Sequence, residues 1–433
     1  MKLPSKQSKN ISAIQKNAKE AILTMKNYLN EYAELIINHG LNLQKGEILH
    51  INSPVNAAPL VEEVAKVAYQ KGAKKIINHW SDGKISALKY EYESVEDLED
   101  VPDYVAEARN CIVEQKGVYL GILSEDPAGF AGLDSQKIAR ARRAMNKALR
   151  PMREATSSNR VRWCLVAYPQ TEWAEKMFPD LSKDKAYEKQ WEYILKTMRL
   201  DAEDPLKAWE EHQEKLTKRC DILNNANIRY FRYKNSLGTD FKIGMPKGYI
   251  FCGGAEKGLN DGVYFTANMP TEEVFSSPDR LTAEGKLVSA MPLCRNGAII
   301  ENFSITFKGG RIVDYSAEKG YDVLKGIIDT DEGSHYLGEI ALIGKNSPIH
   351  KLGVLFYETL FDENASCHFA IGDSYVGCLK GGENMDEETL HKHGLNTSLE
   401  HVDFMVGTDD LSIEAECEDG TIMQIFADGD WII

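Results

Sequence analysis

The chain has 433 residues, 43% of them hydrophobic and 27% charged, with a formal net charge of −15 at pH 7. That length exceeds what one core usually fills and predicts two domains. The acidic balance excludes a nucleic-acid or anionic-membrane partner, because phosphates are bound by clustered Lys and Arg, and no stretch approaches the length needed to span a bilayer.

The chain opens on a Lys-rich lead, Met1-Lys-Leu-Pro-Ser-Lys-Gln-Ser-Lys, without the apolar core of a secretory signal, so a cytoplasmic location is expected. From Ala18 to about Asn38, apolar residues at helical spacing predict one or two helices ending at Gly40 as the C-cap. A strand from Glu47 to Ile51, a turn at Ser53-Pro54, a helix from Ala58 to Gln70 stopped by Gly72, and a strand from Lys75 to His79 make a βαβ unit. The pattern returns as a strand from Gly117 to Leu123, a helix from Asp134 to about Arg150 and a strand from Arg160 to Ala167. Alternation of this kind implies a parallel sheet covered by helices. From Trp173 to Asn225 the sequence is charged and helical, with Trp191, Tyr193, Ile194, Met198 and Leu200 as a core stripe.

Beyond about Ala226 short strands punctuated by glycine take over. Phe303 to Phe307 and Ile312 to Tyr315 flank Lys308-Gly-Gly-Arg311 as a hairpin, and a second hairpin joins Ser412–Cys417 to the run from Thr421 to Phe426. The predicted architecture is an α/β N-terminal domain over 1–226, with a parallel sheet and flanking helices. An α+β, mostly antiparallel C-terminal domain follows over 227–433. The eight cysteines show no CxxC and no regular spacing, which predicts reduced, buried thiols.

The N-terminal half has neither GxGxxG nor GxxxxGK[ST], and its His39, His50 and His79 fall in predicted core elements. Acids and histidines that can converge lie in the C-terminal half. In His401-Val402-Asp403-Phe404-Met405 the two-residue period of a strand puts His401 and Asp403 on one face, as a metal-binding dyad or a hydrogen-bonded pair. Glu363 and His368 lie five apart among small residues that leave room for an ion, and Glu339 falls on a predicted helix where the chain turns apolar. In Met269-Pro-Thr-Glu272-Glu273-Val-Phe275 two acids sit between a proline and an apolar pair, so one of them should point inward, where it needs a cation or several hydrogen bonds.

These segments resemble the signature regions of the thermophilic aminopeptidase T and aminopeptidase S family of metallopeptidases. The likeness runs through most of the chain and is densest at Gly238-Thr-Asp240, Met245-Pro-Lys-Gly248, the stretch from Met269 to Phe275, Leu337-Gly-Glu339, the stretch from Leu360 to His368, and the stretch from His401 to Met405. The resemblance implies that Glu273, Glu339, Glu363, His368, His401 and Asp403 are metal ligands and that Tyr375 is the active-site tyrosine. It also implies a homodimer acting on short peptides.

An oxygen-rich set with two imidazoles suits two divalent ions such as zinc, cobalt or manganese, which would activate a shared water for removal of the N-terminal residue. Glu339 or Glu272 is expected to be the base, with Tyr375 as a donor to the oxyanion. Two rival readings remain open from the sequence. One is a non-haem iron oxygenase using His368, His401 and Asp403; the other is a non-catalytic small-ligand binding protein whose acids hold a structural ion.

Overall fold

A computed structural model describes residues 27–295 and 298–433. Four parallel strands form the N-terminal sheet, in the spatial order Lys75–Ser81, Ile48–Pro54, Val118–Leu123 and Trp163–Ala167. Helix Ala58–Lys71 returns the chain from the first strand to its neighbour and stops at Gly72, whose φ of 99° is cheap only for glycine. The helical stretch predicted from Ala18 is seen over 27–35 and widens into a π-turn, Ile36–Gly40; its first part, like the Lys-rich lead, lies outside the described residues.

Gly40 does not cap that helix, because Leu41 takes the cap position. A Cβ on Gly40 would stand 2.9 Å from Cys164 Sγ and 2.9 Å from Met269 Sδ, so glycine is there to let two elements close on each other. Asp134 caps helix Ser135–Ala148 by accepting from the amides of Gln136 and Lys137. Helices Gly83–Tyr92, Val95–Glu99 and Asp103–Glu114 fill the stretch before the third strand, and Thr171–Met177, Lys183–Thr197 and Pro205–Asn225 follow the fourth.

The C-terminal part is built on a nine-stranded antiparallel sheet and a four-stranded one. The predicted hairpin is there as Ala298–Lys308 and Arg311–Lys319, turning through Gly309 and Gly310, both at positive φ. Ser412–Cys417 pairs with Ile422–Ala427 as the second hairpin. Cys164, Cys220, Cys367, Cys378 and Cys417 are buried free thiols, and Cys111 and Cys252 are free thiols that are only partly buried. Among the described residues no helix is long and apolar enough to cross a membrane.

The two largest apolar cores among the described residues lie one inside the antiparallel sheets and one around the parallel sheet. The second also takes in Met269, Ile349, Phe356, Leu360, Phe361 and Ala365 from far along the chain. Trp173 anchors this crossing: its indole N–H donates to the Phe356 carbonyl, and its ring lies 6.1 Å from that of Phe361.

Candidate active site

The four-stranded antiparallel sheet runs His401–Met405, His368–Gly372, Leu337–Leu342, Val274–Ser276. Its pairing aligns Asp403 with Ala370 and Ala370 with Glu339, aligns His401 with Gly372, and aligns His368 with Ala341. Alternation then sorts the sheet's two faces. Phe369, Phe404 and Ile371 point into the core, with Phe369 in ring contact with Tyr233 and Phe241 and Phe404 with Phe303. The opposite face carries Glu339, His368, His401 and Asp403, separated by Ala341, Ala370 and Gly372, whose small size leaves space between the polar groups.

Glu339 is therefore on a strand and not on the predicted helix. Every residue of Leu337–Leu342 is buried, and a short, fully buried run lacks the alternation by which sequence separates strand from helix.

Each histidine is oriented through one nitrogen. Nδ1 of His401 lies 2.8 Å from the Asp373 carbonyl, and Nδ1 of His368 lies 3.3 Å from that of Ser366. A carbonyl only accepts, so Nδ1 carries a proton and Nε2 is the nitrogen that faces inward. His401 Nε2 comes within 3.0 Å of Glu339 Oε2 and 3.4 Å of Asp403 Oδ1; His368 Nε2 comes within 3.5 Å of Glu273 Oε2 and 3.9 Å of Asp403 Oδ1.

Glu273 enters from the loop leading into Val274–Ser276. Glu363 enters from the turn after helix Thr359–Asp362, a turn joined to that loop by Asn364, whose side-chain oxygen accepts from the Glu272 amide at 2.7 Å. Tyr375 sets its ring 5.0 Å from that of His401 and 5.4 Å from that of Phe275; Ser277 holds its backbone at both nitrogen and carbonyl.

The group has the properties of a cation site. Glu273, Glu339 and His368 can bring their ligand atoms within 4.8 Å of one another, as can Glu339, His401 and Asp403, so Glu339 belongs to both sets. His401 Nε2 and Asp403 Oδ1 are buried with no hydrogen-bond partner. Burial, and then the neighbouring carboxylates, push the Glu273 and Glu363 carboxyls well above their ordinary range. The same pressures, burial first, raise the Tyr375 phenol. Carboxylates packed this closely without a compensating charge call for cations, and the oxygen and imidazole donors suit borderline divalent ions.

Glu272 stands outside this group. Its Oε1 accepts from Arg199 at 2.6 Å and its Oε2 lies 3.7 Å from His212 Nε2. Its carboxylate is thus engaged by Arg199 and His212, apart from the group formed by the other candidates. The carbonyls of Asp373 and Ser366, which aim the two imidazoles, left no trace in the sequence because backbone atoms carry no residue signature. The spacers Ala341, Ala370 and Gly372 left only a local richness in small residues.

Comparison with known proteins agrees with this geometry. Residues 25–431 match the family model described as thermophilic metalloprotease (M29). The chain is 41% identical over 404 residues to aminopeptidase AmpS of Bacillus subtilis, covering 93% of this chain and 98% of that one. It superposes on wild-type AmpT from Thermus thermophilus with a TM-score of 0.89 at 34% identity, covering 94% of this chain and 100% of that one. A 2,5-dihydroxypyridine dioxygenase from Pseudomonas putida shares the fold alone, with a TM-score of 0.50 at 11% identity over 93% of this chain and 96% of that one. A buried set of carboxylates and imidazoles lying inside a family match that spans nearly the whole chain makes this protein a member of the thermophilic metalloprotease family M29, a family of peptide-bond hydrolases.

Proposed function

We propose that the protein is an aminopeptidase that removes the first residue of short peptides with the help of two divalent ions, zinc, cobalt or manganese. The observation that carries this reading is the sharing of Glu339 between two ligand groups, one with Glu273 and His368, the other with His401 and Asp403. Glu363 completes the set. These residues would hold the ions, which would supply an activated water and Lewis-acid polarisation of the scissile carbonyl.

The chain's own groups supply the rest. Glu339, central to both groups, receives the proton of the attacking water and returns it to the leaving amine. The Tyr375 hydroxyl donates a hydrogen bond to the oxyanion of the tetrahedral intermediate, a contact of about 3 kcal/mol in comparable sites. The Asp373 and Ser366 carbonyls keep both imidazoles in the one tautomer that can ligate.

His368, His401 and Asp403 do come together as an iron triad would require. The three further carboxylates, Glu273, Glu339 and Glu363, favour the peptidase, since an oxygenase site uses one carboxylate and keeps coordination positions open. On the family resemblance we read the protein as a cytoplasmic homodimer, a state that sedimentation measures.

The test is hydrolysis of Leu-p-nitroanilide and dipeptides with and without added zinc, cobalt or manganese, beside the double variant His401→Ala, Asp403→Ala. Metal-dependent hydrolysis that the double variant abolishes is the expected result. Hydrolysis that survives in the variant overturns the site, and one iron per chain with no hydrolysis supports the oxygenase.

A further inference from the structure

The carboxyl ends of the four parallel strands open into a cavity of about 1020 Å3. In open α/β sheets ligands bind in the crevice where successive strands are laid down on opposite sides of the starting strand. Here that point lies between Ile48–Pro54 and Val118–Leu123. Asn56 follows the first of these strands and Ser124 the second. They close the floor together, because Asn56 Nδ2 donates to Ser124 Oγ at 2.6 Å and Ser124 Oγ donates to the Pro169 carbonyl at 3.2 Å.

With the floor's polar groups satisfied, the walls select the ligand. They carry seven carboxylates against two lysines, interleaved with the rings of Phe130, Tyr168 and Tyr187. Lys84 is already paired with Glu172 at 3.2 Å, and Lys183 reaches Glu175 at 3.8 Å. Glu125, Asp184 and Glu188 have no basic partner among the described residues. Such walls repel phosphates and suit a cation on an apolar stem, which aromatic faces and carboxylates hold together.

The cavity wall is also tied to the active site through packed chain. Helix Thr171–Met177 begins in its wall, and Trp173 of that helix holds the carbonyl of Phe356. The chain then runs from Phe356 through Glu358 to Glu363, and Glu358 lines a small hollow shared with Glu363, His401 and Asp403. Glu125, on the cavity wall, is near enough to Glu358 for its charge to help raise that carboxyl.

We propose that this cavity is a substrate subsite for a lysine or arginine side chain on the carboxyl side of the bond cleaved, an inference that rests on the aminopeptidase reading. The favoured substrates are then short peptides with a basic residue downstream of the one removed.

The experiment uses the full-length, metal-loaded enzyme with leucyl peptides in which a lysine, or its uncharged counterpart norleucine, is stepped through successive positions along a glycine chain. At the best spacing the lysine peptide should exceed the norleucine peptide in kcat/KM by about five- to tenfold, the worth of two partly exposed charge contacts and a cation–π contact. The ratio should fall towards one in the double variant Glu125→Gln, Glu188→Gln, whose side chains are exposed and whose replacement leaves the core intact. Equal rates at every spacing, or a preference that survives the double variant, overturn the subsite. Absence of all hydrolysis, Leu-p-nitroanilide included, sinks the aminopeptidase reading instead. Calorimetric binding of the same peptide pairs to chelated enzyme then decides the cavity on its own: tighter lysine-peptide binding, lost in the double variant, supports a cation site, and equal binding overturns it.

Discussion

His401 Nε2 stands 3.0 Å from the Oε2 of Glu339, two strands away across the sheet, with Gly372 and Ala370 on the strand between. The contact exists because the intervening strand offers only small side chains on that face. It sets the first prediction. Glu339→Gln should lower kcat by about a thousandfold, within the range lost with a general base, and should weaken ion binding because the shared ligand loses its charge. Steady-state kinetics and metal content by mass spectrometry check both effects. A variant with full activity removes Glu339 from the mechanism.

Tyr375 is held by its backbone to Ser277 and by its ring against Phe275 and His401, so removing only its hydroxyl leaves the geometry in place. Tyr375→Phe should cut kcat by about 10²- to 10³-fold with little change in KM or metal content. An unchanged kcat means the hydroxyl does not reach the oxyanion.

Glu272 and Glu273 are neighbours in sequence with separate partners, and their variants should differ in kind. Glu272→Ala leaves the largely buried Arg199 guanidinium without its anion and should destabilise the fold by about 3–5 kcal/mol, while folded molecules keep most of their kcat. Glu273→Ala should do the reverse, losing ion affinity and activity. Denaturant unfolding beside kinetics separates the two outcomes.

Burial raises the Glu358 carboxyl from its ordinary value near 4.5 to about 7, against hydrogen bonds from the amides of Leu360 and Thr359 that lower it, with the charge of Glu125 adding to the rise. The folded chain holds this proton more tightly than the unfolded one. The group's contribution to stability is therefore complete below pH 4.5 and is lost as pH rises through 7. Glu358→Gln keeps the neutral shape, so urea midpoints in the presence of chelator should match the parent protein at pH 5 and exceed it at pH 8. Asp362, raised to about 7 by burial and by Glu358, retains part of the slope. A parent protein with the same midpoint at pH 5 and pH 8 contradicts the assignment.

The repeated βαβ pattern was legible because hydrophobic period, the Gly72 stop and the Asp134 cap agree with one another. Helix Gly83–Tyr92 was not, since it buries none of its residues and so has no apolar face to read. At the site, the histidine and aspartate of His401-x-Asp403 could be placed on one face from strand period alone. That Glu339 joins them depends on register across three strands, which no local pattern encodes. The different fates of Glu272 and Glu273 were invisible in sequence because Arg199, which decides them, lies 73 residues away.

The segment from Phe356 to Ala365 roots its apolar side chains in the core of the parallel sheet while its turn delivers Glu363 to the opposite half of the molecule. Neither half can thus be traded between proteins as an autonomous module. A chain severed near residue 227 would keep all six ligand candidates in its sequence but lose the footing of Glu363 and of Met269, which roots the loop that carries Glu273, so recombination that replaces the parallel sheet must also replace the segments that lean on it.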